Sequence, residues 1–151
     1  MSDRLFDVED FNRQVWLIVS RIPEGRVSTY GQIASMIPPP EGVDPLRFDR
    51  LAPQRVGRAL RALPSGSSVP WHRVINGQGM ISLPPGSHAA DEQRARLEME
   101  GITFGERGRV DFSVVGWEGP EDDWLRQHGF LAPRPLRNPS AGDDAARLSL
   151  F

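Results

Sequence analysis

The residues best placed to do chemistry lie in Pro70-Trp71-His72-Arg73-Val74, between a polar Ser65-Gly66-Ser67-Ser68 loop and an Asn76-Gly77-Gln78-Gly79 turn. Pro70 fixes its own φ and pushes Val69 towards extended geometry, so a large indole is held on a stiff backbone beside an imidazole. The indole offers a broad apolar face and an N–H that only donates. The chain has no cysteine, which excludes a thiolate nucleophile, a disulfide and a cysteine-based metal site. Taken alone, Trp71 also reads as a core aromatic, and His72 as an interior histidine with both ring nitrogens satisfied.

A second group of residues carries charge rather than reactivity. Gln54 to Leu63 reads as a helix with Pro53 in its first turn and Val56, Ala59, Leu60 and Leu63 as one apolar stripe. Opposite that stripe lie Gln54, Arg55 and Arg58, with Arg61 beside them. A shorter helix, capped by Ser28 or Thr29 and running to about Ile37, precedes it and holds the only tyrosine, Tyr30, in its first turn. Two helices, the second presenting arginines, make a helix-turn-helix pattern. A solvated arginine face is the plain alternative. Gly57 and Ala59 favour nucleic acid, because small residues between arginines let a helix backbone approach a sugar-phosphate strand.

The remaining elements support these two. Asp7 to Arg21 reads as a helix with Phe11, Val15, Ile18, Val19 and Ile22 on one face and acids at its N-terminus. Pro38 to Ala52, with three consecutive prolines and Pro45, reads as an ordered or semi-rigid loop, either a spacer or a means for Arg47 and Arg50 to reach DNA. Val74-Ile75 and Met80-Ile81-Ser82 flank the Asn76 to Gly79 turn as a β-hairpin or wing. A fourth helix is expected from about Ala89 to Glu100, with Ala95, Leu97 and Met99 among its apolar residues and Gly101 past its end. Val110 to Val115 reads as a short strand. From Glu118 the acids and prolines suggest a poorly packed extension, with a short helix near Trp124 to Gln127.

The length of 151 residues suits one domain, and 38% hydrophobic with 25% charged residues suits a globular protein. No apolar run approaches the ~20 residues of a membrane span, and Met1-Ser2-Asp3-Arg4 is no signal peptide. A cytoplasmic protein without membrane contact is expected. The net charge of -2 conceals an asymmetry, since Arg13 to Arg73 holds nine arginines against Glu24, Glu41, Asp44 and Asp49. Every basic residue is Arg, the better fork for phosphates and bases.

Four segments in this order, Arg21-Ile22-Pro23-Glu24-Gly25-Arg26-Val27-Ser28-Thr29-Tyr30-Gly31-Gln32-Ile33-Ala34, Arg55-Val56-Gly57-Arg58-Ala59-Leu60-Arg61, Pro70-Trp71-His72-Arg73-Val74-Ile75 and Glu98-Met99-Glu100-Gly101, resemble the DNA-binding domain of O6-alkylguanine-DNA alkyltransferases. The resemblance covers roughly Asp7 to Trp117. In those enzymes the third motif reads Pro-Cys-His-Arg and the Cys takes the alkyl group. Trp71 stands in its place, the mark of the alkyltransferase-like proteins, which bind the lesion without repairing it.

Composition points to a flexible extension over 118–151, and the resemblance implies a mainly α fold with a small β-hairpin and a winged helix-turn-helix domain over residues 1–117. It implies a sensor that binds O6-alkylguanine in duplex DNA through the minor groove and flips the base into a pocket. Trp71, Tyr30, Val74, Ile75 and Ser82 would line that pocket. DNA contacts would come from Tyr30, Gln54, Arg55, Gly57, Arg58, Ala59, Arg61 and Arg73, with Arg73 alternatively an intramolecular anchor. The family's intercalating arginine aligns with Gln54 rather than Arg55, so either Gln54 is a shorter wedge or Arg55 takes over. His72 and Glu100 match the pair that activates the missing Cys and are expected to be structural. No catalytic residue, metal or cofactor is expected.

Binding without repair implies handover to nucleotide excision repair. Arg147-Leu148-Ser149-Leu150-Phe151 also resembles the bacterial sliding-clamp-binding peptide, with Leu148, Ser149, Leu150 and Phe151 as its anchor; the bland reading is a chance match. The clamp-like tail points to a bacterial, nucleoid-associated protein. Two rivals remain. His72 with Glu100 could serve as the base of a glycosylase, and a winged-helix transcription regulator would fit the helices and the turn but leave Trp71-His72 without a role.

Overall fold

A computed structural model describes residues 7–139 of the chain. Helix α1 (Val8–Val19) begins where the Asp7 carboxylate accepts the Asp10 N–H at 3.2 Å, and it buries Phe11, Val15, Ile18 and Val19. Strand β1 (Ser28–Thr29) runs directly into α2 (Tyr30–Ser35), whose cap is Thr29, its hydroxyl accepting the Gln32 N–H at 3.0 Å. These starts match the sequence reading because a side-chain oxygen beside a free N–H is a purely local interaction.

Helix α3 (Pro45–Arg61) corrects the reading of Pro38 to Ala52 as a loop. Only the stretch up to Asp44 is loop. Asp44 caps the helix by accepting the Leu46 N–H at 3.2 Å, and Pro45 occupies the first turn, where a missing N–H costs nothing. Pro53 therefore sits inside the helix rather than at its start. It forfeits a helical bond, a break that costs ~3 kcal/mol in an ordinary helix interior. The helix continues because Phe48, Ala52, Val56 and Ala59 form one buried stripe that runs unbroken across Pro53. Trp16 of α1 adds a tie, its indole N–H donating to the Ala59 carbonyl at 2.7 Å.

Strand β2 (Val74–Ile75) does not fold back as a hairpin. It pairs in parallel with β1, Ser28 opposite Val74 and Thr29 opposite Ile75. Val74 enters the core built by α1, α2 and α3, while Ile75 enters a second core with Val27, Leu97, Ile102, Val110 and Phe112. Burial on both sides decides the pairing over the local turn. The Asn76 turn is real and closed by backbone and side chain: the Asn76 N–H donates to the Met80 carbonyl at 3.0 Å, and Asn76 Oδ1 accepts the Gln78 and Met80 N–H groups at 2.9 and 3.0 Å, but no second strand follows it. The architecture is thus mainly helical with a small two-stranded parallel sheet.

Helix α4 (His88–Met99) starts on Ser87 and ends before Gly101, whose φ of 90° is natural only to glycine. Its buried residues are Ala90, Gln93 and Leu97; of the apolar residues named from the sequence, Ala95 and Met99 face solvent. Where a strand was expected at 110–115, Asp111 instead caps a single helical turn, α5 (Phe112–Val115), through the Ser113 N–H at 2.9 Å. Within residues 118–139, mostly exposed, two side chains and several backbone groups are anchored to the domain. Helix α6 (Asp122–His128) buries Leu125, Phe130 joins the first core, and Gln32 Nε2 donates to the Trp117 and Arg134 carbonyls at 2.9 and 3.1 Å. The peptide Leu148 to Phe151 lies outside the described residues. Among those residues no helix is long and apolar enough to cross a membrane, and no His, Asp and Glu group could hold a metal ion.

Candidate nucleic-acid interface

Trp71, His72 and Arg73 form one 3-10 turn leading into β2, and their side chains divide between two environments. Trp71 is half-buried in the wall of a cavity of about 430 Å3. His72 is buried and Arg73 nearly so, and both engage Glu100 at the end of α4. The rings of Trp71 and His72 meet edge to face, their centroids 6.2 Å apart.

Glu100 is the hub of the buried side. Its Oε2 lies 2.7 Å from His72 Nε2 and accepts from Arg73 Nη2 at 2.8 Å, while its Oε1 accepts the Gly25 N–H at 3.0 Å. Arg73 Nη1 donates onward to the Ile22 carbonyl at 2.8 Å. Burial pushes the Glu100 carboxyl up, but Arg73, the Gly25 N–H and His72 outweigh it and hold it at about 2. Burial pushes His72 below its ordinary value, more than its bond to Glu100 raises it. A neutral His72 donates from Nε2 to Glu100, and its Nδ1 has no hydrogen-bond partner among the described residues. The cluster fixes the turn that carries Trp71. It also places Arg73 inside the protein, in line with the intramolecular anchor weighed for it and not with a place on the DNA surface.

The cavity lies between α3, the loop after it, Trp71 and α4, with Tyr30, Gly57, Leu60 and Arg61 on one side and Ala89, Glu92, Gln93 and Arg96 on the other. Its volume is in the range of small-ligand sites. A larger hollow of about 820 Å3, walled by Arg26, Trp117 and Pro133, is lined by neither Tyr30 nor Trp71. Tyr30 is buried, and its hydroxyl lies 3.1 Å from Ser82 Oγ. Burial pushes the Tyr30 phenol up, partly opposed by Ser82 and Arg61, so it stays protonated.

Of the predicted pocket residues, Trp71 and Tyr30 line the cavity and Ser82 reaches it through Tyr30; Val74 and Ile75 are fully buried in the two cores. On α3, Gln54, Arg58 and Arg61 are exposed, Gly57 is half-exposed at the cavity edge, and Arg55 is half-buried. Ala59 faces the core and is 0% exposed, so it cannot meet a DNA strand. It lies on the same stripe as Val56, the face opposite the arginines.

Sequence reasoning found α4 but missed its part in the cavity. Ala89, Glu92, Gln93 and Arg96 recur at helical spacing and face the cavity. The Arg96 guanidinium lies 5.7 Å from the Trp71 ring centroid and pairs with Glu92 at 2.7 Å. Gln93 donates to the His72 and Val74 carbonyls at 3.1 and 2.9 Å, riveting the motif to α4. The polar run at three- and four-residue intervals was the available signal.

A fold of this kind, a helix pair beside a half-buried aromatic cavity, is that of a DNA-binding domain in the alkyltransferase family. Residues 10–102 match the family model described as 6-O-methylguanine DNA methyltransferase, DNA binding domain. The chain is 39% identical over 111 residues to a DNA base-flipping protein of Vibrio parahaemolyticus, a match covering 74% of this chain and 99% of that protein. It is 38% identical over 95 residues to alkyltransferase-like protein 1 of Schizosaccharomyces pombe, covering 63% of this chain and 79% of the relative. The crystal structure of that fission-yeast protein with damaged DNA containing O6-carboxymethylguanine superposes with a TM-score of 0.57 at 32% identity, over 72% of this chain and 95% of that one. The chain belongs to the 6-O-methylguanine-DNA methyltransferase DNA-binding-domain family, on its alkyltransferase-like side.

Proposed function

We propose that the protein is a non-catalytic sensor of O6-alkylguanine in duplex DNA. The observation that carries this reading is Trp71, held half-buried in the wall of a base-sized cavity that α3 borders with Gly57 and Arg61. An alkylated base lies inside the stack, so inspecting its O6 position requires extruding the nucleotide. In this reading α3 enters the minor groove with Gln54 as the wedge, since Gln54 is exposed beside Arg58 and Arg61 while Arg55 is half-buried. The flipped base then packs on the indole face. A relative named a base-flipping protein and a related complex with O6-carboxymethylguanine DNA support this route.

With no thiol to take the alkyl group, the lesion stays on the DNA and the complex itself becomes the signal, handed to nucleotide excision repair. The Arg147 to Phe151 peptide is a second handle, for the sliding clamp. Two measurements test the reading. O6-methylguanine duplex should bind more tightly than the guanine duplex at fixed salt, with no mass gain on the protein and no released base. Equal binding to both duplexes would favour a transcription regulator, and a released base would favour a glycosylase. Removing Leu148 to Phe151 should abolish clamp affinity while leaving DNA affinity unchanged.

A further inference from the structure

We infer that α3 carries a second DNA-contacting segment, Arg47 and Arg50, which grips backbone phosphates outside the stretch flanking the flipped nucleotide. The inference rests on the DNA-binding reading above and extends the contact surface beyond the family motif.

The geometry follows from the length of the helix. α3 starts at Pro45, more than two turns ahead of Gln54. At 100° per residue, Arg47, Arg50, Gln54, Arg58 and Arg61 fall within about 80° of arc, on the side opposite buried Phe48, Ala52, Val56 and Ala59. All five are exposed. From Arg47 to Arg61 the stripe runs about 21 Å at 1.5 Å per residue, the span of about six phosphates on one strand. Of the nearby acids, Asp44, three residues ahead of Arg47, is the helix cap, its Oδ1 accepting the Leu46 N–H, and Asp49 falls on the far side of the arc. The Arg47, Arg50 and Arg58 side chains make no ion pair or hydrogen bond with any described residue.

Continuity decides the partner. The same face carries Gln54 and Arg61, and Arg61 borders the cavity beside Gly57, so a duplex seated for base inspection already occupies the C-terminal half of the stripe. An acidic protein could reach Arg47 and Arg50 only by competing with that duplex. The backbone of the same DNA is the ligand that fits the stripe along its whole length, and Pro53 is what allows the local sequence to disguise it as a loop.

The test uses the full chain carrying R47A and R50A together, with R47K and R50K as the charge-keeping pair. Affinities are measured over a series of salt concentrations for guanine and O6-methylguanine duplexes extending a full turn beyond the central site. Each phosphate contact contributes about 0.9 to the slope of log affinity against log salt, so the alanine pair should lower its magnitude by about 1.8 on both duplexes. Affinity should fall by the same factor on both, the lysine pair should restore slope and affinity, and thermal melting should match the unaltered protein. An unchanged slope would overturn the inference, as would a loss confined to the lesion duplex. A wild-type protein without lesion preference would sink the sensor reading but leave this inference standing if the slope still drops.

Discussion

Glu100 Oε2 lies 2.7 Å from His72 Nε2, in a chain with no thiol for that histidine to activate. Arg73 closes the same carboxylate from the other side and reaches the Ile22 carbonyl, so one glutamate joins the end of α4, the motif turn and the loop after α1. In the proposed sensor the pair serves to hold Trp71 still.

Replacing Glu100 with Gln should therefore be costly. It would leave Arg73, its side chain 16% exposed, without a counter-charge. Breaking a buried pair from one side costs roughly 3–5 kcal/mol. Urea denaturation of E100Q should show a loss of roughly 3 kcal/mol; a change below 1 kcal/mol would mean that the cluster contributes nothing to the fold.

Stability should fall in acid by two routes. Glu100 at about 2 is below its ordinary 4.5, so its contribution is complete above 4.5 and is lost as pH falls towards 2. His72 is lowered from 6.5, so it favours the fold fully above 6.5 and progressively less below. Denaturation midpoints measured between pH 8 and 3 should decline below 6.5 and more steeply below 4.5. H72Q should remove the first part of that decline and leave the second.

Gly57 separates stability from binding. A Cβ there would meet Arg61 Nη1 at 3.7 Å and Tyr30 Cε1 at 3.8 Å, ordinary contacts, so nothing inside the protein requires glycine. Ala in a helix interior is favoured over Gly by about 0.5–1 kcal/mol. G57A should melt at or above the unaltered temperature and yet bind DNA several-fold more weakly, because the methyl group stands where a strand must approach. Unchanged affinity by fluorescence anisotropy would remove Gly57 from the interface.

Local signals were legible and distant pairings were not. Asp7 and Thr29 announce their helices because a cap needs only its own next three residues. Pro38-Pro39-Pro40 is equally clear as a break, but its weight spread too far along the chain and hid Asp44-Pro45, which reads as a cap followed by a first-turn proline. The parallel pairing of Ser28-Thr29 with Val74-Ile75 depends on two cores assembled from residues far apart, which a pass along the chain cannot weigh. In the site, Trp71 and Tyr30 were readable from the motifs. Arg96 and Gln93 were not, since a polar helical face is ordinarily a wet one until a neighbouring element covers it.

The most direct test of the account is the affinity of the protein for a duplex with one O6-methylguanine relative to the same duplex with guanine, measured for the unaltered chain and for W71A at one salt concentration. The account predicts a clear preference for the lesion in the unaltered protein and its loss in W71A, with affinity for the guanine duplex little changed and the fold intact by circular dichroism. Equal affinity for both duplexes in the unaltered protein, or a preference that survives in W71A, would contradict it.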